Sequence, residues 1–204
     1  MSNVVKVGRV EWSGDNPFIY LKRDSEDHWA TLALSFRVTI SDFGPGHAML
    51  VLEDPFEESN SAKKERFCAT DNVELARFLV SNFVKRFGVF RNLSVLEDIP
   101  YVPARDFKQL GDGREVYLES CIMEQDARSV RMQWEDMGPA FAVDVPPDES
   151  STGKHEMLSV FRVASRASVT VDGRRLAGEP VEREFFGTQS QSAGVALSET
   201  WIRS

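Results

Sequence analysis

Leu32-Ala33-Leu34-Ser35-Phe36-Arg37-Val38-Thr39-Ile40 decides the fold class. Leu32, Leu34, Phe36, Val38 and Ile40 fall on one face, and Ala33, Ser35, Arg37 and Thr39 on the other. A period of two is the pattern of a half-buried strand. Phe43-Gly44-Pro45-Gly46 breaks it, and His47 to Leu52 then reads as the hairpin partner. Similar signals recur along the chain. Val4 to Trp12 alternates loosely, Ser13-Gly14-Asp15-Asn16-Pro17 reads as a turn, and Phe18 to Leu21 resumes. Gly111-Asp112-Gly113 and Gln125-Asp126-Ala127 each suit a hairpin turn. Asp172-Gly173 is a stronger signal, because that dipeptide accepts the positive φ of a type I′ turn. Strand patterning continues to Gly194–Ile202. Two stretches have loop composition: Asp144 to Glu156, expected as a mobile surface loop, and Gly187 to Gly194, expected as a strand connection.

One segment departs from this pattern. In Asp71 to Phe87, Ala76, Leu79, Val80, Phe83 and Phe87 gather on one helical stripe, with Val73 and Val84 at its border. Asp71 and Glu74 have capping-box spacing, Lys85 and Arg86 suit the C-terminal end of the dipole, and Gly88 suits a left-handed cap. The spacing therefore predicts a helix over about 71–87. From Val89 onward the text is β again. The expected product is a mainly β chain: a bent antiparallel sheet forming a barrel or sandwich, with one packed helix on an open end or face.

That layout resembles the lipocalins and related calycins in architecture only. Gly8 and Trp12 stand too far apart for the lipocalin Gly-x-Trp start, and a mid-chain helix departs from the usual order.

The 204 residues suit one compact domain over 1–204, and 42% hydrophobic content with 14 Phe and 4 Trp supplies a substantial core. A formal charge of −8 argues against a phosphate-backbone partner. The nearest basic cluster, Lys63-Lys64-Glu65-Arg66, follows acidic Glu53-Asp54 and Glu57-Glu58 and reads as a mixed-charge loop. The first residues lack the basic start and apolar run of a signal peptide, and no stretch approaches the roughly 20 apolar residues that span a bilayer. Cys68 and Cys121 share no Cys-x-x-Cys spacing and are expected as reduced, buried thiols. The expectation is a cytoplasmic protein with no nucleic-acid or membrane partner.

Signatures of hydrolases, P-loops, dinucleotide-binding turns and zinc proteases are absent, and His28, His47 and His155 show no metal-ligand spacing. No metal and no cofactor are expected. Two strand-borne carboxylates are more informative. Alternation places Glu119 on the face of Tyr117, Cys121 and Met123, and Glu199 on the face of Val195, Leu197 and Trp201. A carboxylate in such company sits at a wet margin, in an ion pair, or in a cavity with a raised pKa suited to general acid–base work. A structural ion pair or a solvated face is the commoner outcome. Trp12, Trp29, Trp134, Trp201, Tyr117 and Phe161 lie in strand-like contexts, where aromatics usually form core.

The functional expectation is a barrel-like pocket that binds a mostly apolar small molecule, with cofactor-free isomerisation, cyclisation or hydration as the chemistry open to it; whether it is an enzyme is left undecided by the sequence. Glu119 and Glu199 are its candidate catalytic residues, and Tyr117, Trp134 and Trp201 its candidate ligand contacts. Both carboxylates are expected to reach the same cavity. The alternative is a noncatalytic interaction domain that dimerises through a strand edge or aromatic patch.

Overall fold

The computed structural model describes residues 6–23, 28–57, 64–111 and 114–203. The protein is 59% strand and 10% helix, with a closed nine-strand β-barrel and a single short α-helix. In chain order the elements are β1 (Arg9–Asp15), β2 (Phe18–Lys22), β3 (Trp29–Ser41), β4 (Gly46–Glu53), β5 (Arg66–Thr70), α1 (Val73–Asn82), β6 (Tyr101–Gly111), β7 (Val116–Met123), β8 (Ser129–Met137), β9 (Phe141–Val145), β10 (His155–Val171), β11 (Arg174–Arg175), β12 (Glu182–Phe185), β13 (Thr188–Gln191) and β14 (Ala193–Arg203). Three short 3-10 turns lie between α1 and β6. The barrel runs β14-β2-β3-β4-β5-β6-β7-β8-β10 and closes through β10 and β14.

Two packed layers result. The barrel interior is filled by Ile19, Leu21, Met49, Phe67, Met132, Trp134, Val169 and their neighbours, so it is core and not a channel. A second core lies outside the barrel, where Trp12, Phe18, Leu34, Phe36, Leu50 and Trp201 pack under α1 and the 3-10 turns. This second layer changes the reading of β3. Leu32, Leu34, Phe36 and Val38 face the outer core, while Ala33 faces the lumen. Both faces are buried until the strand runs out past the helix, where Ile40 is 58% exposed. The half-buried expectation is corrected accordingly.

The β3–β4 hairpin forms in the expected place. Asp172 and Gly173 have φ of 48° and 77°, as a type I′ turn requires. Ala127 at φ 57° turns the β7–β8 hairpin. β6 and β7 pair on either side of Gly111-Asp112-Gly113, whose last two residues lie outside those described.

Other boundaries differ. Val4 and Val5 lie outside the described residues, and β1 continues through Ser13-Gly14-Asp15, leaving only Asn16-Pro17 as the turn. Gly14 is in the strand because β1 runs close against β3, where a Cβ would strike the Arg37 carbonyl. Residues 187–194 are not a plain connection: they hold β13, which pairs with β12 as a hairpin, and the first residues of β14. Asp144 and Val145 end β9, and His155 and Glu156 begin β10, so the expected loop shrinks to 146–154. The sheet is not wholly antiparallel: β5 and β6 pair in parallel. Such a pair needs a crossover, and α1 with its 3-10 turns is that crossover.

The helix is shorter than its apolar stripe. Asn72 is the N-cap, accepting from the Leu75 N–H at 3.1 Å. Asp71 is instead bound to His47, through the backbone N–H and the ring Nδ1, both at 2.7 Å. At the far end Phe83 leaves helical geometry with φ −121°, and Val84–Arg86 and Gly88–Phe90 continue as 3-10 turns. Gly88 opens one of these turns, and its φ is not positive. Lys85 meets Glu97 at 2.8 Å. Replacing Asn72 with Ala should cost about 1 kcal/mol in urea unfolding. An equal or larger loss from Glu74→Ala would instead assign the cap to a capping box. Cys68 and Cys121 are free and buried, and burial pushes both thiols up to about 12.

Candidate functional site

The site begins with a break in β14. Ser198 has φ 52°, and the register against β10 slips between Leu158 and Val160. A bulge of one residue reverses which face every later side chain takes. Val195 and Leu197 therefore face the lumen, whereas Trp201 packs in the outer core. Glu199 goes with Trp201, so its expected sharing of a face with Val195 and Leu197 is corrected. Asp15 anchors the bulge by accepting the Ser198 N–H at 2.8 Å.

Glu199 is 3% exposed. Its Oε1 accepts from Trp201 Nε1 at 2.6 Å and from Asn16 Nδ2 at 3.4 Å. Among the described residues no group donates to its other oxygen. Burial pushes the carboxyl up to about 7, the two donated hydrogen bonds oppose this, and the nearby Asp15 charge adds to it. Tyr20, on β2, is buried, which pushes its phenol above the usual range.

These groups line a cavity of about 320 Å³ on the outside of the barrel. Its floor is β2, β10 and β14, with Phe18, Phe161 and Trp201. Its rim comes from three places: the 3-10 segment around Gly88, the 146–154 loop through Ser150 and Ser151, and β12 with Arg183, Phe185 and Phe186. Phe161 contacts Phe18, Phe185 and Phe186 at centroid distances of 6.4, 5.2 and 5.6 Å. Asn16 Oδ1 and Ser151 Oγ are buried there and have no hydrogen-bond partner among the described residues. An apolar wall with a few convergent polar atoms is the usual make-up of a small-molecule site.

Tyr117, Glu119 and Trp134 lie elsewhere. All three point into the lumen, on the other side of the sheet. Glu119 accepts from the Tyr117 hydroxyl and from Ser35 Oγ at 3.1 Å, and burial raises its pKa. Trp134 packs edge-on to Tyr117 at 5.4 Å and donates to the Phe18 carbonyl at 2.9 Å. The backbone of Phe18 thus separates the two groups, its carbonyl toward Trp134 and its ring in the outer cavity. The structure brings Glu199 and Trp201 together and keeps Glu119, Tyr117 and Trp134 away from them. Convergence of both carboxylates on one cavity is therefore corrected: the bulge at Ser198 sends one outward while β7 keeps the other inside.

Sequence reasoning missed Asn16, Tyr20, Ser151 and Arg183. Asn16 stands in a stretch of turn composition and Ser151 in one of loop composition, and neither composition marks a site. The one usable signal was Arg183-Glu184-Phe185-Phe186, a cation beside paired aromatics. His28 is exposed, His47 pairs with Asp71, and His155 is buried against Phe83 and Trp201, its pKa lowered by burial. No three His, Cys, Asp or Glu side chains are grouped to hold a metal among the described residues, and no helix there is long and apolar enough to cross a membrane. In comparisons with known proteins, no family model, no curated protein and no solved structure matches the chain.

Proposed function

We propose that the chain binds a mostly apolar small molecule in the outer cavity and that Glu199 exchanges a proton with it, the chemistry of a cofactor-free isomerase, cyclase or hydratase. The observation that carries this reading is a buried carboxyl, held near neutrality, at the wall of an aromatic cavity. A general acid or base works best when its pKa lies close to the working pH. Trp201 fixes one carboxyl oxygen and leaves the other to hold the proton. Tyr20 stays neutral and supplies a hydroxyl, and Asn16 supplies an amide.

Proton linkage tests this without knowledge of the substrate. An apolar molecule that displaces water from Glu199 penalises its ionised form and raises its pKa further. N-phenyl-1-naphthylamine is neutral and does not titrate near pH 7. Its binding at pH 7, measured by calorimetry in buffers of different ionisation enthalpy, should take up a fraction of a proton. Glu199→Gln should bind it and take up none. Binding without proton uptake in the unaltered protein would remove Glu199 from the site, and absence of saturable binding would remove the site.

The interaction-domain reading has one observation in its favour. Among the described residues β9 pairs only with β10, and Phe141 and Val160 on these strands are partly exposed. Concentration-dependent sedimentation that Phe141→Lys abolishes would support it.

A further inference from the structure

We propose that the molecule taken by the outer cavity is an organic anion, an aromatic body carrying one carboxylate, sulfonate or sulfate group that pairs with Arg183. This rests on the cavity being a small-molecule site and adds the class of ligand.

Arg183 and Arg91 both line the cavity and neither meets a carboxylate among the described residues; of the two, Arg183 is the one held over aromatic rings. Arg37, Arg128, Arg166, Arg174 and Arg175 each meet a carboxylate. Arg183 meets none among the described residues, although Glu149 and Glu184 also line the cavity. Its Nε donates to the Glu184 carbonyl at 3.2 Å, and among the described residues the two terminal nitrogens have no acceptor. The guanidinium is held in place by aromatic faces, 5.5 Å from the Tyr20 ring and 5.5 Å from the Phe185 ring. A half-buried cation without a counterion bears a desolvation cost that a bound anion relieves, and a planar fork suits a carboxylate or sulfonate bidentately. Beyond it lie Phe18, Phe161, Phe186 and Trp201, whose ring faces suit an aromatic body. Glu199, neutral below about pH 7, does not repel such a ligand.

Two probes with one ring skeleton isolate the charge: 8-anilinonaphthalene-1-sulfonate and the neutral N-phenyl-1-naphthylamine. Both should bind the full chain saturably at one per chain, the sulfonate tighter by about tenfold, as one charge-assisted contact allows. Arg183→Met should remove that preference and leave the neutral probe within about twofold, and Phe185→Ala should weaken both. Added salt should weaken only the sulfonate. Equal affinities in the unaltered protein, or a preference that survives Arg183→Met, would overturn the anion assignment while the bound neutral probe still supports the cavity. If neither probe binds, both readings fail.

Discussion

Replacing Phe83 with Ala should lower the unfolding free energy by about 3–5 kcal/mol, the range for truncating a fully buried phenylalanine. Phe83 has no exposed surface. It stands where α1 ends, and its own N–H closes the last turn onto the Leu79 carbonyl at 3.0 Å. Its ring is the joint between the crossover and the sheet. Trp12 and Trp201 meet it edge-on at 5.7 and 5.2 Å, Phe78 lies at 5.6 Å, and the His155 ring at 5.2 Å. Truncation empties a space bounded by rings on rigid strands, which cannot collapse to fill it, so the upper half of the range is expected. Lys85→Ala is the matched control. It removes a part-exposed ion pair with Glu97, worth at most about 1 kcal/mol. Urea unfolding of the two variants decides the matter through the midpoint at unchanged slope. An unchanged midpoint in Phe83→Ala would mean that α1 does not seal the outer core. Because Trp201 also holds Glu199, this variant should disturb the cavity as well as the fold.

The parts of the structure that were legible in the sequence are those set by local chemistry. The β3–β4 hairpin shows as alternation on both sides of a glycine-rich turn, and Asp172-Gly173 demands positive φ wherever it occurs. The helix shows because its stripe has a different period. Its ends do not show, for identifiable reasons. Asp71 and Asn72 are both good caps, and only the tertiary contact with His47 takes Asp71 away. Past Phe83 the apolar spacing persists because 3-10 turns also bury Val84 and Phe90. Gly14 looked like a turn residue, but its role is to let β1 approach β3.

The site was less legible, because its geometry depends on closure. In a barrel wrapped by a second layer both faces of a strand are apolar, so alternation says that two faces exist and not which one surrounds a cavity. Glu119 and Glu199 look equivalent under that rule. They part at Ser198, a residue with no propensity that marks a left-handed bulge. The cavity rim is assembled from turns, a loop and a small hairpin far apart in sequence, and neither pattern nor spacing brings those together.

The difference in stability between the unaltered protein and Glu199→Gln should fall by about 3 kcal/mol as pH rises from 4.5 to 8. The ordinary glutamate value is 4.5, and burial holds Glu199 at about 7. Between these values the unfolded chain has released the proton and the folded chain still holds it. Unfolding is therefore increasingly favoured as pH rises across that window, and the difference is constant above it. Ten-fold in proton affinity is about 1.4 kcal/mol, which sets the size. Other groups titrate in the background. The pKa values of Glu53 and Asp54 are lowered, chiefly by partners Arg174, Arg23 and Lys64 against the cost of burial, so they lend stability that is lost only as pH falls below the ordinary carboxylate range. His155, lowered by burial, loses stability as pH falls through 6.5, opposite in sign to Glu199 and within the same window. Subtracting the two pH profiles cancels these contributions, which both proteins share. The glutamine keeps an oxygen for Trp201 Nε1 and removes the titration, so the variant should be the more stable of the two above pH 7. A difference that stays flat from pH 4.5 to 8 would show that water reaches the carboxyl and ionises it normally. The near-neutral acid on which the proposed chemistry depends would then be absent.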